Sequence, residues 1–141
     1  MMNYRSFGED QNLKNAGLDI QSMLRQAQSS ATANVKCNSK FGANWQVELA
    51  DATIINLKCQ EFQAAAILKK SSTLGANIVI QEISGTSCSS ALPLTISFEA
   101  LTGKIDLGEV NCSMITITLK NNKTGSAKSF NIEKGGRIYG N

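Results

Sequence analysis

The sequence predicts an α+β domain in which one N-terminal amphipathic helix packs on antiparallel β-sheets. Residues Asn12 to about Ala33 place apolar side chains at helical spacing, and the chain after Asn34 consists of short alternating segments separated by turns. At about 1.5 Å per residue this helix would be roughly 33 Å long, enough to cover a small sheet. The apolar stripe contains Leu13, Ala16, Gly17, Ile20, Met23, Leu24, Ala27 and Ala31.

We divide the chain into a short lead-in and one globular domain. Residues 1–11 are polar and form either a flexible lead-in or the first turns of the helix. Residues 12–141 form the domain, with the helix over about 12–34 and a β-rich region over 43–138. Asn12 is a suitable helix cap, and Asp10 is an alternative.

Strands are predicted wherever apolar and polar residues alternate between turn-forming residues. Antiparallel hairpins with one solvated face need cover on the other face, and the helix supplies it. The segment FQAAAIL is ambiguous because its alanines suit a helix, but its position among strands favours a strand. The predicted strands are Trp45–Leu49, Thr53–Cys59, Phe62–Leu68, Asn77–Ile83, Leu94–Ala100, Ile105–Leu107, Cys112–Lys120 and Lys128–Glu133.

Composition excludes several classes of function. The 141 residues are 42% apolar, carry a net charge of +3 and contain only 18% charged residues, which is far from the charge density of a dedicated nucleic-acid binder. The chain has no histidine, so the commonest general base, His-activated nucleophiles and His-containing zinc sites are excluded. The sequence therefore predicts no enzyme, no cofactor and no metal site.

The four cysteines are Cys37, Cys59, Cys88 and Cys112, and no two of them form a CxxC motif. Zinc sites built from four cysteines usually bring their ligands in close pairs, so two disulfides in an oxidising compartment fit better. We favour Cys37–Cys59 and Cys88–Cys112 because partners that are near in sequence close smaller loops. Four buried free thiols in a cytosolic protein are the alternative.

Paired carboxylates and short motifs do not indicate catalysis. Glu9 with Asp10, and Glu82 with Glu99, have hydroxyl-rich neighbours and are interpreted as solvated surface groups. Gly135-Gly136 lacks the spacing of a phosphate-binding loop and is interpreted as a turn. Asn111-Cys112-Ser113 and Asn122-Lys123-Thr124 match the glycosylation sequon, a pattern short enough to arise by chance.

The C-terminal part of the chain is basic. From Lys120 onward there are five basic residues against Glu133 alone, whereas the preceding part has 9 basic and 10 acidic groups. Such a segment either contacts DNA phosphates or presents lysines that discourage edge-to-edge strand pairing. Tyr139 is the one nearby aromatic residue that could stack on a base. The candidate DNA-binding residues are Lys120, Lys123, Lys128, Lys134 and Arg137.

The sequence has no apolar run of about 20 residues and no signal peptide at its start. An oxidised domain without an export signal is contradictory. The doubled Met1-Met2 offers a resolution, namely a start placed on a chain whose natural N-terminus has been removed.

The segment LKNAGLDIQSMLRQAQSSATANV resembles the C-terminal half of the long N-terminal helix in type IV pilins and type II secretion pseudopilins, the GspH/FimT type in particular. In that family a leucine- and alanine-rich stripe ends in an Arg-Gln-Ala-Gln-like run, here Arg25–Gln28. The end of the chain is also similar, with a strand at Leu94–Ala100, then Thr102-Gly103, the hairpin Ile115–Ile132 and a final Gly136-Arg137-Ile138.

This resemblance implies a type IV pilin-like fold and a minor pilin or pseudopilin that helps to assemble a filament, near its tip. Family members carry a cleaved leader and an apolar half-helix that anchors them in the inner membrane before assembly, and this sequence lacks both. The implied partners are other pilin subunits, and the implied location is the cell surface or periplasm. Membrane contact is expected only through the missing half-helix.

The family also includes competence-type minor pilins that bind double-stranded DNA through a tail resembling Gly-Arg-x-Arg. Here the tail is Gly136-Arg137-Ile138-Tyr139, without the second arginine, although Lys123, Lys128 and Lys134 could compensate. An extracellular adhesin is a third class, favoured only by the loop SGTSCSS and by exposed hydroxyl groups.

Overall fold

The computed structural model of the protein describes residues 4–88, 91–108 and 111–140. Residues 1–3 of the predicted lead-in, and Ser89 and Ser90 of the SGTSCSS loop, lie outside the described residues. The helix α1 spans Tyr4–Thr32. It precedes β1 (Asn44–Leu49), β2 (Ile54–Gln60), β3 (Ile67–Thr73), β4 (Ile78–Ser84), β5 (Leu94–Phe98), β6 (Ile105–Asp106), β7 (Met114–Asn121), β8 (Ala127–Glu133) and β9 (Ile138–Gly140).

The strands form two antiparallel sheets. One has the order β3-β2-β1-β5-β6 and the other the order β4-β7-β8-β9. The two sheets meet where β4 runs beside the β1–β2 turn, since the Ile80 N–H donates to the Ala52 carbonyl at 2.8 Å. One N-terminal helix packed on antiparallel sheets is the α+β arrangement that the sequence predicts, and at this level the prediction is confirmed.

The buried stripe of α1 holds the two sheets together. Leu13, Ile20, Leu24, Ala27 and Ala31 are almost completely buried, and the helix packs against β1 of the first sheet and against β7 and β8 of the second. Burial of this apolar surface, worth about 25 cal/mol per Å², is the main stabilising contribution of the helix. Gln21 is also buried, which the stripe did not predict.

The helix spans Tyr4–Thr32, so residues 4–11 of the lead-in form its first turns, which is one of the two alternatives that the sequence left open. Leu13 is the first buried side chain among those described, whereas Gly8, Asp10, Gln11 and Asn12 are exposed. An apolar stripe reveals only the part of a helix that packs on something. The side chains described before Leu13 are exposed, and accordingly the apolar pattern begins several residues after the helix does.

The C-terminal end of α1 is closed by Asn34, which adopts a left-handed conformation with φ of 56°. The Asn34 N–H donates to the Ala31 carbonyl at 3.1 Å, and the Val35 N–H donates to the Ser30 carbonyl at 3.0 Å. This is the hydrogen-bond pattern of a Schellman motif, for which asparagine is one of the few suitable residues other than glycine. The Asn34 side chain also accepts a hydrogen bond from the Gly42 N–H at 2.7 Å, which fixes the following loop.

The alternating strands lie where the sequence predicts, within a few residues. In β1 the side chains of Trp45, Val47 and Leu49 are buried, and β7 buries its odd-numbered isoleucines and Leu119. In β8, Phe130 and Ile132 face the core as predicted, and Asn131 is buried as well. The short β9 continues beyond the predicted β-rich region to Gly140.

The predicted strand Phe62–Leu68 is wrong. Residues 62–64 form a turn, and the strand is β3, Ile67–Thr73. β3 is the edge of its sheet and most of its side chains are exposed, so its sequence ILKKSST shows no alternation of apolar and polar residues. A strand exposed on both faces gives no burial signal, and the apolar residues just before it attracted the prediction instead.

Candidate functional surfaces

The structure does not gather the five basic candidates into one patch. Lys120 lies near the end of β7 and faces outward opposite Ala127, and Lys123 lies in the turn that joins β7 to β8. Lys134 and Arg137 belong to the turn between β8 and β9, at the other end of β8. The seven residues of β8 span roughly 20 Å, so the two groups occupy opposite ends of the sheet.

Lys128 belongs to a third location, on the side of the sheet that faces the helix. It lies directly opposite the buried Leu119, and opposite residues of an antiparallel pair share a face. A groove of about 180 Å³ between α1 and β8 is lined by Lys128, Lys14, Leu18 and Phe130. This groove combines an apolar floor with two lysines.

The β8–β9 turn combines a cation with an aromatic ring. The Arg137 guanidinium lies 4.5 Å from the centre of the Tyr139 ring, and one of its nitrogens is 4.0 Å from the Glu133 carboxylate. A hydrogen bond with Glu133 raises the pKa of the Tyr139 hydroxyl. Arg137 is largely exposed, as is Lys134, so the turn presents two cations and a partly buried aromatic ring to solvent.

The structure places Glu82 and Glu99 on different sheets. Both are exposed; Glu82 belongs to β4, and Glu99 directly follows β5. Asp10 is exposed on α1, and the side chain of Glu9 lies outside the described residues. Across the described ranges no cluster of three or more metal-ligating side chains is present.

Two disulfides join Cys37 to Cys59 and Cys88 to Cys112, with Cα–Cα distances of 5.6 and 4.8 Å. These are the two pairs that we favoured from the sequence because they close the smaller loops. The first fastens the loop after α1 to β2, and the second fastens the loop after β4 to the residues before β7.

The Glu61 carboxylate gives the loop after α1 a second attachment. One of its oxygens accepts hydrogen bonds from the backbone N–H groups of Asn38, Ser39 and Lys40 at 3.2, 2.9 and 2.8 Å. The bonds from Ser39 and Lys40 contribute most to lowering the pKa of Glu61. A charged acceptor bound by three amides is a strong local anchor.

A surface groove lies beside this anchored loop, and the sequence did not predict it. We call it the apical groove; its volume is about 460 Å³, and its lining includes Gly42, Gln60, Glu61, Phe62, Glu99 and Ala100. Phe62, which was expected to lie in a strand, is instead 83% exposed at its wall. Phe41 and Leu101 are next in sequence to the lining residues Gly42 and Ala100, and their side chains are 64% and 62% exposed.

These three side chains are the most exposed large apolar residues in the part of the chain that the structure describes. One of them lines the groove and the other two are next in sequence to lining residues, and exposed apolar residues grouped in this way indicate an interaction surface more strongly than scattered ones do. The only sequence signal was the presence of isolated phenylalanines among polar residues, in KFG and EFQ, which is too weak for a prediction.

No described helix combines the length and the apolar character needed to cross a bilayer. Comparisons of the chain with family models, with curated proteins and with solved structures give no match.

Proposed function

We propose that this chain is a minor pilin or pseudopilin, a structural and assembly subunit near the tip of a type IV pilus or a type II secretion pseudopilus. One observation supports it above the others. α1 is 29 residues long, its part from Leu13 onward buries an apolar stripe on the sheets, and the side chains described before Leu13 are exposed. Together with the resemblance of the helix sequence, this fits a pilin fold, in which one part of a long helix serves the globular domain and the other serves the filament.

The proposed role is non-enzymatic, and its partners are other pilin subunits. The two disulfides support a location at the cell surface or in the periplasm, where such bonds form and persist. In this proposal the native protein is anchored in the inner membrane before it enters a filament.

Deletion and localisation in the source cells test this proposal. Deleting the gene should reduce the number of surface filaments, and an antibody against the domain should label filament ends. Complementation with the unchanged gene should restore both. Normal filament numbers without the gene, together with labelling away from filaments, would contradict a role in assembly.

We propose DNA binding as a second candidate, located at the β8–β9 turn. The observation that favours it is the exposed Arg137 guanidinium stacked on Tyr139, with Lys134 exposed beside it. Cations contact phosphates, the interaction by which proteins bind double-stranded DNA without sequence specificity, and the Tyr139 ring supports the Arg137 guanidinium at the surface.

Titration of the purified chain with double-stranded DNA at low and higher salt tests this candidate. We expect binding that weakens steeply with salt and that is lost when Lys134→Glu and Arg137→Glu are combined. Lys123→Glu is the matched control, because it makes the same kind of charge change about 20 Å away. An equal effect of the control would place binding elsewhere, and no binding at low salt would eliminate this candidate.

A further inference from the structure

The apical groove has an apolar wall and two acidic lining residues. Phe62 lies at its wall, the exposed Phe41 and Leu101 are next in sequence to its lining residues Gly42 and Ala100, and its charged lining residues within the described chain are Glu61 and Glu99. Glu61 is bound by three backbone amides, whereas the Glu99 side chain is exposed to solvent. A complementary surface would therefore bring an apolar side chain together with a positive charge.

The walls of the groove are held in place before anything binds. The Cys37–Cys59 disulfide and the Glu61 hydrogen bonds fasten one loop, and the Asn44 side chain accepts a hydrogen bond from the Ala100 N–H at 3.0 Å on the other side. The Lys36 ammonium lies 4.7 Å from the centre of the Phe41 ring, so one aromatic face is already in contact with a cation. Fixed walls reduce the ordering cost of association.

The same chain exposes a segment with the complementary chemistry. Leu68 is 54% exposed, and it is followed directly by the exposed Lys69 and Lys70. All three lie in β3, which is an edge of its sheet and pairs only with β2 among the described strands. Leu68 lies opposite Lys58 on the face away from the helix, Lys69 falls at a register shift, and Lys70 lies opposite the buried Leu57 on the helix side. An exposed apolar side chain followed directly by a cation on a sheet edge matches an acidic groove with an apolar wall.

We propose that the apical groove of one copy of this protein receives the Leu68–Lys70 segment of a second copy. Leu68 packs against Phe62, and the Lys69 ammonium approaches the Glu99 carboxylate. The contact extends the proposed function, since a filament subunit needs surfaces for its neighbours, but it does not depend on that function. Because it is measured with the purified chain, its failure leaves the filament role intact, and failure of the filament role leaves this contact intact.

Sedimentation equilibrium over a concentration series, combined with charge reversal, tests the contact. Glu99→Lys makes the groove basic, and Lys69→Glu with Lys70→Glu makes the segment acidic. We expect each variant alone to associate at least about tenfold more weakly than the wild type, because like charges then face each other. An equimolar mixture of the two variants restores opposite charges in every contact between unlike copies and should associate about as strongly as the wild type.

Matched controls make the same charge changes elsewhere. Glu82→Lys on β4 and Lys14→Glu on α1 alter exposed residues outside the groove and the segment, and should leave association within about twofold of wild type. Phe62→Ser should weaken association without changing the circular dichroism spectrum, because the side chain is 83% exposed.

The proposal is overturned if the wild type remains monomeric up to about 1 mM. It is also overturned if the mixture of charge-reversed variants stays as weak as its components, or if Glu82→Lys weakens association as much as Glu99→Lys does. In that last case, net charge and not this contact would govern association.

Discussion

The Cys37–Cys59 disulfide closes a loop with a sequence separation of 22 residues, and both sulfurs are buried beside β1. In the chain-entropy account, a loop of about 22 residues removes roughly 11 cal/mol/K from the unfolded ensemble, which corresponds to about 3.4 kcal/mol at 25 °C. Domains of this size are stable by about 5–15 kcal/mol. Replacing both cysteines by alanine should therefore cost between about a quarter and two thirds of the total stability.

Guanidinium unfolding followed by tryptophan fluorescence measures this loss. Trp45 is the only tryptophan in the chain, is buried, and lies opposite Cys59 in the β1–β2 pair. Its indole N–H donates to the Val35 carbonyl at 3.3 Å, so it reports on the loop as well as on the sheet. The unfolding midpoint should fall, and the slope with denaturant should rise, because the unfolded chain without the cross-link is less compact and exposes more surface.

The second disulfide provides the matched control. The separation between Cys88 and Cys112 is 24 residues, so the same account predicts almost the same loss, about 3.4 kcal/mol, when this pair is replaced by alanines. A loss below about 1 kcal/mol for both pairs would refute the loop-entropy reasoning. A much larger loss for the first pair alone would show that local packing, and not loop closure, dominates there.

Three further predictions concern single side chains. Hydrogen bonds lower the pKa of Glu61 in the folded state, so the stability that Glu61 contributes is present above its ordinary pKa of about 4.5 and is lost as pH falls through the lowered value. The loss of stability toward acid pH should therefore be smaller in Glu61→Gln than in wild type. Identical profiles of unfolding free energy against pH would contradict this. Gly103→Ala should lower the thermal unfolding temperature clearly more than Gly125→Ala does. Both glycines have a positive φ, but only at Gly103 would the new methyl group lie 2.5 Å from the Thr32 hydroxyl. Equal decreases in the unfolding temperature would contradict this. Leu24→Ala, at a completely buried helix position, should cost about 2–5 kcal/mol in denaturant unfolding, and a cost below about 1 kcal/mol would contradict its place in the core.

The parts of the fold that the sequence predicted are those with one buried face. Trp45, Val47 and Leu49 alternate with polar residues because β1 lies between the helix and solvent, and Leu13 to Ala31 form a stripe because that part of α1 covers both sheets. Elements without such asymmetry were left open or misplaced. The described side chains of α1 before Leu13 and most side chains of the edge strand β3 are exposed, so hydropathy carries little information about them.

The candidate surfaces depended on tertiary placement that no local pattern contains. The basic residues from Lys120 to Arg137 are close in sequence, but the length of β8 carries them to opposite ends of the sheet, and the alternation of the strand turns Lys128 toward the helix. The apical groove combines residues near positions 42, 62 and 100, which come together only when the loop after α1, the end of β2 and the end of β5 meet.

The contact between Arg25 and the end of the chain has a consequence for biogenesis. An Arg25 guanidinium nitrogen donates to the Ile138 carbonyl at 2.9 Å across a sequence separation of 113 residues, and Gln28 makes a similar bond to the Gly136 carbonyl. At a ribosomal rate of 5–20 residues per second, about 6–23 s pass between the synthesis of the two partners. For most of that interval the apolar stripe of α1 lacks the cover that β7 and β8 provide, because these strands begin only at Met114 and Ala127. Native contacts this distant in sequence slow folding, so the nascent helix is the segment that most needs protection from aggregation until β8 and β9 have been synthesised.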